Sequence, residues 1–64
     1  MDADTEDLIA QLCTRAGILM EDASVMALMI RGLDVAERPA RLKKLSAAIA
    51  TMASLVEAAE ALMN

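Results

Sequence analysis

Residues 9–33, IAQLCTRAGILMEDASVMALMIRGL, decide how the whole chain is read. Apolar residues recur there in steps of three and four: Ile9, Leu12, Ala16, Leu19, Ala23, Met26, Ile30 and Leu33. On an α-helix such positions form one stripe, the a/d seam of a heptad, and a stripe of this kind needs a second helix to cover it. Residues 42–63, LKKLSAAIATMASLVEAAEALM, repeat the pattern with Leu42, Leu45, Ile49, Met52, Val56, Ala59 and Met63. Between the ladders lies a break marked by Gly32 and Pro39. The sequence therefore predicts an all-α fold, an antiparallel helical hairpin with the two ladders facing each other.

The ends of the helices follow from local chemistry. Asp4 is the expected N-cap of the first helix, with Asp7 reaching back as a short capping partner. The helix is expected over about residues 5–31, closing on a left-handed Gly32 with Leu33 folded back on Leu28. The turn, about residues 32–38, holds Asp34 and Glu37 in a capping spacing, and Pro39 suits a first helical turn: either a single turn forms at Asp34 to Glu37 and the main helix begins near Pro39, or one slightly kinked helix begins at Asp34. The second helix then covers about residues 39–62. The alternative is a first helix broken near Gly17 or Asp22, which gives three helices. Residues 1–64 read as a single domain.

Size makes a partner necessary. A 64-residue chain has little interior, and small folds usually add disulfides, a metal or oligomerisation. Cys13 is the only cysteine and there is no histidine, so neither an internal disulfide nor a Cys/His zinc site is expected. Dimerisation into a four-helix bundle is what remains. Its dimer and core interface is expected at Ile9, Leu12, Leu19, Met26, Ile30, Leu33, Leu42, Leu45, Ile49, Met52 and Val56. The expected partner is a second copy, with hairpins head to tail; an apolar helix of another protein is the other candidate, because methionine-rich surfaces adapt to such helices.

Little in the chain carries chemistry. It has no His, Tyr or Trp, no glycine-rich phosphate loop and no converging carboxylates, so no catalytic residue and no cofactor is expected. Cys13 and Met20 share a heptad position, and soft sulfur ligands suit Cu(I). Both read as packing residues, and no metal site is assigned. The longest run without charge, from Leu45 to Val56, is shorter than the roughly 20 residues of a membrane span. Acids stand at the N-terminus where a signal peptide carries bases. With an unpaired thiol, these features make the cytoplasm the expected location and a membrane no expected partner.

Charge is distributed unevenly. Asp2, Asp4, Glu6, Asp7, Glu57 and Glu60 belong at the open end of the hairpin. Arg31, Arg38, Arg41, Lys43 and Lys44 belong at the turn end, beside Asp34 and Glu37. The basic set is the candidate contact for phosphate or an acidic partner. The net charge of −4 and the absence of aromatic residues argue against nucleic acid as a general ligand.

In size, in its paired full-length heptad helices and in its tight Leu33-Asp34 turn, the chain resembles the plasmid repressor-of-primer family. The resemblance is one of outline and rests on no residue motif. It implies an antiparallel dimer of hairpins; that family's RNA-binding helix has aromatic and basic residues that this chain lacks, so RNA binding is not implied. The expected function is a non-enzymatic protein–protein interaction or regulatory module acting as a homodimer. The alternative is a small nucleic-acid-binding regulator using the basic turn.

Overall fold

The computed structural model of the chain describes residues 2–64. Two long helices, α1 (Ala3–Met29) and α2 (Arg38–Met63), pack antiparallel as a hairpin joined by a short turn. The fold is all-α, and α1 runs unbroken through Gly17 and Asp22. A Cβ placed on Gly17 would meet nothing within 4 Å. Glycine is therefore not required there by packing, and the helical ladder carries through it.

α1 begins earlier than Asp4. Asp2 is the N-cap, in an extended conformation, and its carboxylate accepts the Thr5 N–H at 2.7 Å. Asp4 and Glu6 instead lie in the first turn, where they complement the positive end of the helix dipole. The Thr5 backbone N–H, and then the Thr5 side chain, hold the Asp2 carboxyl below its usual range against a small opposing effect of desolvation.

The single turn ahead of the main helix is as expected, whereas the caps differ. No glycine among the described residues has a positive φ, so Gly32 makes no left-handed cap. α1 tightens instead into a 3-10 turn, Ile30–Gly32, closed by the Leu33 N–H on the Ile30 carbonyl at 3.1 Å. Leu28 stays at the surface, 77% exposed, and makes no fold-back contact with Leu33. Asp34 and Glu37 do not cap through side chains. The Glu37 N–H donates to the Asp34 backbone carbonyl at 2.9 Å, in a second 3-10 turn, Val35–Glu37. Pro39 sits in the first turn of α2, where its missing N–H costs nothing.

Arg38 makes a left-handed cap unnecessary. Its Nε donates to the Leu33 carbonyl at 3.3 Å and one terminal nitrogen donates to the Arg31 carbonyl at 3.5 Å. A side chain at the first position of α2 thus satisfies the end of the preceding helix and pins one helix against the other.

The rotation of α2 shows in which of its rows are enclosed. From half-buried Arg38, steps of seven lead to Leu45, Met52 and Ala59, which line the seam; steps of seven from Arg41 add Ala48, Leu55 and Leu62. On α1 the seam is the expected ladder, Ile9 through Leu33. On α2 the ladder is split: Leu45, Met52 and Ala59 turn inward, whereas Leu42, Ile49, Val56 and Met63 are exposed. The physical reason is that the apolar arc of α2 is wider than one seam requires. The most enclosed residues are Ile9, Ala16, Ala23 and Ala59, mostly short side chains covered by longer neighbours.

The result is long and thin, 50 × 15 × 11 Å, with a radius of gyration of 15.0 Å. A compact chain of this size would have a radius near 11 Å. Its accessible surface is 4876 Å², against about 4,000 Å² for a compact globule of 6.8 kDa.

Candidate interaction surface

The split of the α2 ladder creates a surface. Leu42, Ile49, Val56 and Met63 form one row along α2, each seven residues from the next, and all four are exposed. On the neighbouring flank of α1, Cys13, Met20 and Ala27 occupy the matching row and are exposed too. Met20 lines one shallow groove with Ile49, Met52, Ala53, Val56, Glu57 and Glu60, which places the two rows on the same broad face. In an antiparallel pair the e positions of both helices fall on one side and the g positions on the other. The opposite flank is mixed, with Leu8, Arg15, Asp22 and Met29 on α1 and Glu37, Lys44, Thr51 and Ala58 on α2.

The apolar face is continuous from Leu42, near the turn, to Met63, near the open end. Its acidic groups, Glu57 and Glu60, lie toward the open end. Two hydroxyls of α2 are turned back into the helix: Thr51 donates to the Ala47 carbonyl and Ser54 to the Ala50 carbonyl, each at 3.1 Å. Such back-bonding leaves little free polar chemistry on the middle of α2. By length and composition alone, the segment Val35–Met63 is apolar enough to cross a membrane. Counting only charge-free runs overlooks this, because Glu57 and Glu60 interrupt the run without changing its overall character. A span centred on α2 would hold both carboxylates inside the hydrocarbon, at about 2.5 to 3.5 kcal/mol for a charge at the centre.

The expected interface residues separate into two groups. Ile9, Leu12, Leu19, Met26, Ile30, Leu33, Leu45 and Met52 line the seam within one hairpin. Leu42, Ile49 and Val56 lie on the open face. Sequence reasoning missed Ala48, Leu55 and Leu62 as seam residues, and it missed that Cys13 and Met20 border the open face. The heptad step from Arg38 carries that signal, once Arg38 is known to be anchored.

The five basic residues of the turn end are not equivalent. Arg38 is occupied by the carbonyls of Leu33 and Arg31, and Arg41 is half-buried beside the seam. Arg41 and Lys44 share a shallow groove with Ala36, Glu37 and Ala40, so a carboxylate lies among them. Arg31, Lys43 and Lys44 are exposed. Among the described residues no cluster of His, Cys, Asp or Glu could hold a metal ion.

Comparison with protein-family models, with curated proteins and with solved structures finds no match.

Proposed function

We propose that the chain is a small, non-enzymatic interaction or regulatory module of the cytoplasm that works as a homodimer, two hairpins packed as a four-helix bundle. The observation that carries this reading is the unbroken apolar face formed by Cys13, Met20, Leu42, Ile49, Val56 and Met63. The hairpin is 50 Å long and 15 Å wide, so its whole broad side has a projected outline of about 750 Å², of which the apolar rows are one part, and a standard stable interface takes roughly 800 Å² per side.

Charge orients the pair. The open end carries six acids, and the turn end carries five bases against two acids. Packing the hairpins head to tail sets each basic end against an acidic one, whereas packing turns together sets like against like. The head-to-tail dimer therefore has the better electrostatics and, with face-to-face packing, lays α1 on α1 and α2 on α2.

Sedimentation equilibrium of the wild type and of the Ile49→Glu, Val56→Glu double variant tests the reading. The wild type is expected at twice 6.8 kDa at micromolar concentration, and the variant at the monomer mass. Two further measurements separate the competing readings. Salt-sensitive retention on RNA or heparin, lost when Lys43 and Lys44 are replaced, would favour the nucleic-acid regulator. Co-flotation of wild type with lipid vesicles, lost in the double variant, would favour a membrane as the occupant of the face.

A further inference from the structure

The outer flank of α1 carries a second stripe that the hairpin seam leaves free: Leu8, Arg15, Ile18, Asp22, Val25 and Met29, all of them exposed. With Gln11 they step by three and four, as the seam does. Asp7, Gln11, Arg15 and Ile18 line one shallow groove, so this stretch of the stripe shares a side of the helix. The flank is the one turned away from Met20, and it stays free when the apolar face is covered.

The two ends and the two charges of the stripe mirror each other about the midpoint between Ile18 and Leu19. Laid against a second copy running the other way, Leu8 meets Met29 and Arg15 meets Asp22, the two Ile18 side chains flank the centre, and Val25 faces Gln11. Within one helix Arg15 and Asp22 are seven residues apart, about 10 Å along the axis and beyond the reach of an i, i+4 pair. The residues one turn from Arg15 are Gln11 and Leu19, and those one turn from Asp22 are Ile18 and Met26. Neither charge has an opposite charge at pairing distance on its own helix.

We infer that the outer stripes of α1 from two copies pair antiparallel across a two-fold axis between Ile18 and Leu19, with Arg15 of each on Asp22 of the other. A two-fold contact is self-complementary, since residue i touches j and j touches i, and this stripe is arranged that way. The occupant is a second copy because the complement of the stripe is the stripe itself. One helix of 27 residues presents about 400 Å², half of a standard interface side. This contact is therefore weaker than the one on the apolar face, and it joins dimers into tetramers and, through the second stripe of each dimer, into larger species at higher concentration. Only that stoichiometry rests on the dimer proposed above; the stripe contact stands on its own residues.

Sedimentation velocity of the full chain from roughly 10 micromolar to 1 millimolar, at low ionic strength, tests it. The wild type, Arg15→Asp, Asp22→Arg and the double exchange are compared, with circular dichroism confirming equal helix content. The wild type is expected to pass from dimer to tetramer and larger species. Each single reversal sets like charges together and weakens that second step about tenfold or more, and the double exchange restores it, because the swapped charges again meet their opposites. The inference is overturned if the wild type forms only a dimer that survives Arg15→Asp, if single reversals change no association step, or if the double exchange stays as weak as the singles. A wild type that forms only one dimer, lost in Arg15→Asp and retained in Ile49→Glu, Val56→Glu, would support the stripe contact and remove the apolar-face dimer.

Discussion

Replacing Ile49 by alanine separates the energy held within a hairpin from the energy held between two. Ile49 lies at the centre of the apolar face and is 54% exposed in the hairpin. Fully burying an isoleucine is worth about 1.5 to 3 kcal/mol, so roughly half of that, about 1 to 1.5 kcal/mol, is left for the dimer contact. A two-fold dimer contains the site twice. Ile49→Ala is then expected to weaken dimerisation by about 2 to 3 kcal/mol, or about 30- to 140-fold in Kd. Alanine is the better helix former, which keeps the loss of hairpin stability small. Leu28→Ala is the matched control, since Leu28 is more exposed and lies off the face. Dilution followed by sedimentation gives both constants. An Ile49→Ala dimer within threefold of wild type, or a Leu28→Ala dimer weakened equally, would refute the assignment of the face.

Three further outcomes follow from the turn, the N-cap and the charge pattern. Arg38→Ala should lower hairpin stability by about 1 to 2 kcal/mol in thermal melts, and Arg38→Lys should not rescue it, because an ammonium lacks the planar fork that reaches both the Leu33 and Arg31 carbonyls. Asp2 has its pKa lowered in the fold, so its contribution is present above the ordinary aspartate value and is lost as pH falls through the lower folded one; Asp2→Asn, which still caps, should flatten that acid-side dependence of the melting temperature. Reversing Lys43 and Lys44 to glutamate should weaken self-association, and reversing Glu57 and Glu60 to lysine in the same chain should restore part of it; an unchanged or stronger dimer in the first variant would reject the head-to-tail arrangement.

The two helices were legible because each ladder holds its three-and-four spacing for over twenty residues, and an uninterrupted α1 follows from the same strength of pattern. The seam of α1 was legible as well, since its ladder holds one unbroken spacing from Ile9 to Leu33 and the charges Arg15, Glu21 and Asp22 all lie off it. The rotation of α2 was not. Apolar or small residues occupy three adjacent rows there, and periodicity cannot choose which two face inward when all three are free of charge over most of their length. Arg38 stands on the inward side and donates to backbone carbonyls five and seven residues earlier, a contact with no sequence signature. The caps failed for a related reason. Asp2 and Asp4 are chemically equal candidates, and Gly32 fits a left-handed position that the 3-10 turn and Arg38 together make unnecessary. The basic cluster illustrates the same limit: five charges close in sequence divide into one clamp, one half-buried flank and three exposed groups.

The central claim is that a second copy covers the apolar face, and Cys13 reports on it directly in the unaltered chain. Its thiol is exposed in the hairpin and lies in the row that includes Met20. The rate of labelling by a water-soluble disulfide reagent should be fast at high dilution and should fall as protein concentration rises through the dimer Kd, with the Ile49→Glu, Val56→Glu variant labelling fast throughout. A labelling rate that stays fast and independent of concentration, in wild type and variant alike, would contradict the claim.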